Sequence, residues 1–226
     1  MAKLTYYGHA AFQVETEGTH ILIDPFLTGN PVARTSADDV PADYILVTHG
    51  HSDHVGDTVA IAQRTGAVAV SNAEIAHWLS RQGVETHAMH IGGGYHFPFG
   101  YAKMTQALHG SELPDGSYGG NPGGFLLKLK EGKTLYFAGD TGLFGDMRLI
   151  GDEGLDLAVI PIGDNFTMGP DDALRAVEFL RPKTVMPMHF DTFELIAQNV
   201  AAWKARVEAL SQAEVLLLNV NGSAQI

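Results

Sequence analysis

Short runs of alternating apolar and polar positions open the chain. Residues 4–7, 11–14 and 20–24 carry β-branched or aromatic side chains, and Glu17-Gly18 punctuates the last two runs. The pattern predicts an antiparallel meander. A fourth run, 44–47, leads into a polar stretch, after which the spacing turns helical from about Val55 to Arg64 and stops at Gly66. Residues 68–70 read as a short buried strand. Ser71, with Glu74 three positions on, has the form of a capping box and opens a helix reaching Gln82-Gly83.

Strand patterns return at residues 102–108, 125–129 and 134–138, with Glu131-Gly132 as a hairpin turn. A glycine-rich loop, 110–124, separates the first two. Residues 157–162 form another apolar run, Pro170 starts a helix through Leu180 that Pro182 ends, and residues 184–188 make a strand. In the last helix Leu195, Ile196, Val200, Trp203, Val207 and Leu210 recur at helical spacing, before a closing strand at 215–218. Strands followed by helices thus occur twice. This predicts an α/β fold of two packed sheets with helices outside, a four-layer α/β/β/α sandwich, in one domain over residues 1–226.

Composition narrows the function. No apolar run approaches the ~18 residues of a membrane span, and the first residues lack a signal peptide's apolar stretch, so a cytoplasmic protein with no membrane partner is expected. The absence of cysteine removes thiolate metal sites, disulfides and cysteine nucleophiles. A formal charge of −12, from 14 basic and 26 acidic residues, opposes a phosphate backbone, and no nucleic-acid partner is expected.

The candidate chemistry sits where the fourth run ends, in His49-Gly50-His51-Ser52-Asp53-His54. His49 and His51 are two apart and in extended chain point to one side, where they can grip a cation. Asp53 and His54, at the turn into a helix, can reach a second cation close by. Three further apolar strands also end in ligand-type residues, His109, Asp140 and His189. Ligands at the ends of neighbouring strands converge at one sheet edge, the usual place for sites in α/β proteins.

These residues resemble the signature H-x-H-x-D-H of the metallo-β-lactamase fold superfamily, followed in order by its later ligands His109, Asp140 and His189. The stretches Tyr7-Gly8-His9-Ala10-Ala11-Phe12, Ile23-Asp24-Pro25-Phe26 and Asn165-Phe166-Thr167-Met168-Gly169-Pro170 resemble a branch of small metal-dependent hydrolases similar to L-ascorbate-6-phosphate lactonase. The resemblance implies His49, His51 and His109 on a first metal, Asp53, His54 and His189 on a second, and Asp140 between them. Two divalent ions roughly 3.5–4 Å apart share one water, lower its pKa toward neutrality and polarise a substrate oxygen. Zinc is the expected metal, although imidazole and carboxylate donors also suit manganese, iron, cobalt or nickel.

The resulting expectation is a binuclear hydrolase that turns metal-bound hydroxide on a small ester, lactone or phosphoester, and two cations favour a small anionic substrate. Asp53 and His9 are the catalytic candidates, with His9 acting either on substrate or from behind a ligand. Asp24 is placed to fix a ligand imidazole or to cap a turn before Pro25. Asn165 and Thr167 serve as pocket lining or as turn residues. Tyr118, the sole aromatic of the 110–124 loop, is expected to cover the substrate. The alternatives are a mononuclear iron oxidoreductase resembling persulfide dioxygenases, which leaves Asp53, His54 and His189 without a task, and a metal-binding protein without catalysis.

Overall fold

The computed structural model describes residues 1–226. The first half contains β1 (Lys3–Gly8), β2 (Ala11–Thr16), β3 (Thr19–Ile23), β4 (Tyr44–Leu46), α1 (Ser52–Val55), α2 (Thr58–Thr65), β5 (Val68–Asn72), α3 (Ala73–Ser80) and β6 (Thr86–Met89). The second contains β7 (Gly94–Phe97), β8 (Gly100–Gln106), β9 (Gly123–Leu129), β10 (Thr134–Phe137), α4 (Met147–Gly151), β11 (Leu157–Pro161), α5 (Pro170–Leu180), β12 (Thr184–Met188), a 3₁₀ turn at Glu194–Ile196, α6 (Val200–Leu210), β13 (Glu214–Val215) and β14 (Ser223–Gln225).

The strands form two seven-stranded sheets, ordered β14-β1-β2-β3-β4-β5-β6 and β13-β12-β11-β10-β9-β8-β7. The predicted meander β1-β2-β3 is antiparallel, and β3 to β6 continue in parallel. Period-two alternation assigns each strand two apolar faces. Ile21 and Ile23 point between the sheets, where they meet Phe125, Phe137 and Val159, whereas Leu22 faces outward toward Ile61 of α2 and Ile75 of α3. On the far side Tyr136, Ala158 and Ile160 pack beneath Leu174, Val177 and Trp203 of α5 and α6. The result is the expected α/β/β/α sandwich.

Several predicted elements are corrected. Helix 55–64 is two helices, because Gly56 breaks it at φ 44° and the Asp57 carboxylate accepts from the backbone N–H groups of Leu27 (3.0 Å) and Thr28 (2.8 Å) instead of from α2. The cap of α3 is Asn72, whose side chain accepts from Ile75 N–H at 2.9 Å; Ser71 lies in β5 and donates to the Val47 carbonyl. The last helix begins at Val200, since the Asp191 carboxylate takes the Gln198 N–H at 2.8 Å and Asn199 caps α6. Of the closing run 215–218 only Val215 pairs as a strand, together with Glu214 before it, and β6, β7 and β14 carry too little apolar pattern to be foreseen. The 110–124 loop folds back on itself, with a Glu112–Tyr118 bridge and a Trp78 Nε1–H bond to the Asp115 carboxylate at 2.7 Å.

Candidate metal centre

The carboxyl end of β4 delivers His49 and His51, and α1 turns immediately after them to carry Asp53 and His54. The facing sheet adds His109 beyond β8, Asp140 beyond β10 and His189 beyond β12, while the β1–β2 turn contributes His9. Gly139 permits the approach of the two sheets here: at φ 63°, a Cβ on it would lie 2.7 Å from the Gly123 carbonyl oxygen and 2.9 Å from Thr48 Cβ. His9, Asp24 and His189 adopt positive φ of 59°, 43° and 56°, conformations that cost free energy in non-glycine residues and concentrate at functional sites.

Donors behind the cluster fix the imidazole tautomers. Thr48 gives Asp24 both its backbone N–H (2.8 Å) and its hydroxyl (2.6 Å). With its one proton committed, that hydroxyl accepts from His49 Nδ1–H at 3.0 Å, which leaves a lone pair on His49 Nε2, 3.0 Å from His51 Nδ1. His54 Nδ1–H donates to Asp24 at 2.8 Å and likewise frees its Nε2. That Nε2 lies 3.3 Å from Asp140 Oδ1, and both atoms are buried without a hydrogen-bond partner. Two facing lone-pair atoms demand a cation between or beside them.

Asp140 reaches both halves of the cluster. Its second oxygen lies 3.0 Å from His189 Nε2 and 3.6 Å from His109 Nε2. The donor atoms of His49, His51 and His109 lie within 4.8 Å of one another, as do those of His49, His54 and Asp140 and those of His9, Asp53, His54 and His189. This chemistry is able to hold a divalent metal, with imidazole and carboxylate donors and no competing ammonium or guanidinium in the cluster.

Electrostatics agree with that donor set. Burial holds His49 well below the ordinary histidine value and lowers His109, so both offer lone pairs at neutral pH. Burial would raise Asp140, but His54 and His189 outweigh it and keep the carboxylate ionised. Burial also works against His54, yet Asp140 and Asp24 hold its pKa well above normal, the response of an imidazole set between two carboxylates.

All seven residues expected to be ligands are therefore gathered at one point. His9 is fully buried: its Nδ1 pairs with Thr192 Oγ1 at 2.9 Å and its Nε2 with Asp53 at 3.1 Å, so it stands behind Asp53 and does not line the cavity over the cluster. Asp24 lies behind His54 and Thr48. A cavity of about 480 Å³ opens over the cluster, and its wall contains Phe166, Phe193 and Leu195. Asn165 and Thr167, the predicted lining residues, flank Phe166 without lining the cavity, and Tyr118 lines a different cavity with Glu74 and His90, its hydroxyl on Asn121 at 3.2 Å. Sequence reasoning missed Thr192 and the three apolar residues; the available signal was their place in loops that follow β11 and β12 at the ligand-bearing edge.

Residues 19–190 match the family model of the β-lactamase superfamily domain. The chain is 52% identical over 229 residues to a UPF0173 metal-dependent hydrolase of Pelotomaculum thermopropionicum, covering 99% of this chain and 100% of the relative. It belongs to the UPF0173 family of metal-dependent hydrolases. A solved structure of a metallo hydrolase from the archaeon Ignicoccus hospitalis resembles this family member with a TM-score of 0.90 and 36% identity, over 100% of this chain and 99% of that one. A metallo-β-lactamase fold protein of Bacillus subtilis, at 12% identity and a TM-score of 0.75, shares the fold over 99% of this chain and 98% of its own. No helix of the UPF0173 protein described here is long and apolar enough to cross a membrane.

Proposed function

We propose that this protein is a binuclear hydrolase of a small ester, lactone or phosphoester. The observation that carries the reading is Asp140, whose two oxygens face His54 on one side and His109 and His189 on the other, so that one carboxylate can serve two ions. His49, His51 and His109 would hold one, Asp53, His54 and His189 the other, and zinc best fits the donor set. Bound there, two divalent ions supply Lewis-acid polarisation of the substrate oxygen and a water acidic enough to attack near neutral pH.

The chain's own residues orient and shield. Asp24 and Thr48 lock the imidazoles of His49 and His54 in the tautomers that present Nε2. His9, steadied by Thr192, aims the Asp53 carboxylate. The cavity accepts a small molecule, and the net charge of −12 repels polyanions.

Elemental analysis of metal-replete protein is expected to find two divalent ions per chain. His51→Ala should lose one of them and cut turnover of a lactone, thioester or phosphodiester panel by orders of magnitude. One ion in fully active protein, or dioxygen-dependent turnover, would overturn the binuclear hydrolase in favour of a mononuclear iron enzyme.

A further inference from the structure

The cavity over the metal centre has two chemically distinct walls. One consists of histidines and aspartates of the cluster; the other is Phe166, Phe193 and Leu195, with no lysine, arginine, amide or hydroxyl side chain among the lining residues. Phosphate and sugar hydroxyl groups require donors that this cavity does not provide outside the cluster itself. Resting on the hydrolase reading above, we infer that the substrate is an uncharged ester or lactone with an alkyl or aryl group next to the scissile bond, gripped by Phe166, Phe193 and Leu195. The small anionic substrate that two cations alone would favour is replaced by one whose apolar part meets the apolar wall.

Three observations support the assignment. First, the three side chains are exposed by 53%, 43% and 69%, although each is large and apolar. An apolar group continuous with a candidate reaction centre is a ligand contact more than a packing accident.

Second, the two loops are held without them. Loop 163–168 is closed by the Met168 N–H on the Thr141 carbonyl (2.9 Å) and the Asn165 N–H on the Asp164 carboxylate (2.9 Å). Loop 189–196 is closed by the Asp191 N–H on the Ile196 carbonyl (3.0 Å), and Gln198 Nε2 ties it to the Gly163 carbonyl at 2.9 Å. The hydrogen bonds that hold the two loops thus involve none of the three side chains, and of the three only Phe193 has an aromatic partner, the His9 ring edge-on at 5.7 Å.

Third, the backbone takes a costly path to present Phe166. Asp164 and Asn165 both adopt positive φ, 62° and 50°, immediately before it. Because β11 and β12 are neighbours in the sheet, the two loops stand side by side and the three apolar groups form one wall. The same cavity is lined by His51, Asp53, His109, Asp140 and His189, so a substrate whose tail rests on the apolar wall has its ester group within the one cavity that the cluster lines.

For a lactone, water adds across the acyl C–O bond: its oxygen ends on the carbonyl carbon, and the ring oxygen leaves carrying a proton as the new hydroxyl. Each methylene moved from water onto the apolar wall contributes about fourfold in affinity when fully buried. The test compares δ-valerolactone, which has no tail, with δ-decalactone, which has a pentyl tail, on the metal-replete protein and on Phe193→Ser/Leu195→Ser. The expected result is kcat/KM at least tenfold higher for δ-decalactone, with the ratio falling toward one in the variant. A parallel calorimetric titration with acetate and octanoate reads the wall without turnover, and octanoate should bind at least tenfold tighter, an advantage that the variant loses. Absence of turnover on any substrate, with the octanoate preference intact, would refute the hydrolase reading and leave the apolar wall standing. Equal binding of acetate and octanoate, or preference for a phosphorylated sugar lactone over δ-decalactone, would overturn the apolar substrate and leave hydrolysis itself untouched. All three side chains are solvent-exposed, and Phe166→Ser provides a third, independent loss of the tail preference should the double variant fold poorly.

Discussion

Asp24 is almost fully buried and accepts three hydrogen bonds, two from Thr48 and one from His54. Burial pushes its pKa up, and the His54 charge and the three donors work against that rise. Asp24→Asn replaces one acceptor oxygen by an NH₂ group that faces donors. It is expected to weaken metal binding by about 10- to 100-fold, the usual cost of losing the group behind a ligand histidine. Competition with a chromogenic chelator measures this, and urea unfolding should show a loss on the order of 1–3 kcal/mol for unsatisfied buried donors. His9 titrates in the opposite sense: burial pushes it down to about 4 from 6.5, against the hydrogen bond to Asp53. The unfolded chain takes up this proton near pH 6.5 and the folded protein only near pH 4. Stability present above pH 6.5 is therefore lost as the pH falls toward 4. In metal-free protein, the stability of wild type relative to His9→Gln should fall by up to ~3 kcal/mol over that window; a flat difference in urea midpoints would refute it. At this scale the cluster was legible because histidine and aspartate rarely end four strands by accident. Phe166, Phe193 and Leu195 were not, because an apolar residue that lines a cavity has the same sequence signature as one in the core.

Among the elements, α5 was read to the residue, since Pro170 supplies its fixed φ at the start and Arg181, at φ 47°, precedes a proline that cannot continue it. The 195–210 segment was misread for a physical reason: Leu195 and Ile196 keep helical spacing with Val200, but Asp191 and Asn199 capture the backbone N–H groups of Gln198 and Ala202. Local side-chain bonds override periodicity. The same competition misplaced the α3 cap by one residue. Asn72 was the better choice because its amide also donates to the carbonyls of Gly119 (2.7 Å) and Asn121 (3.1 Å), and so pins the 110–124 loop to α3. Asn72→Ala should therefore cost more than a cap alone: about 1 kcal/mol for the cap and about as much again for the loop. Equilibrium urea unfolding checks the sum. Faster amide exchange at Leu113 and Gly119, without change in β8, would show that the loop bears the second part. The short edge strands β6, β7 and β14 escaped notice because their stability comes from pairing with distant partners, as Leu4 with Ala224, and not from their own pattern.

For the whole molecule, the decisive fact is that the candidate ligands straddle the two sheets. His49, His51, Asp53 and His54 belong to the β4–α1 connection of one sheet, whereas His109, Asp140 and His189 close strands of the other. Any ion shared between them is a cross-link between the halves of the sandwich, bound by the folded state and scarcely by the unfolded chain. Saturation at 1,000 times the dissociation constant then stabilises the fold by about 4 kcal/mol per site. For a chain of this size each kcal/mol moves the melting temperature by about 2–4 °C. For two sites, chelation is thus expected to lower the melting temperature by roughly 16–32 °C, and divalent metal to restore it in proportion to the logarithm of its concentration. His51→Ala, which acts on one group of ligands only, should retain part of the response. A melting temperature unmoved by chelator, in protein shown by elemental analysis to have lost its metal, would mean that hydrogen bonds and core packing alone clamp the sheets. The buried pair His54 and Asp140 would then hold its geometry through a shared proton, and the cluster would be a preformed socket and not a cross-link.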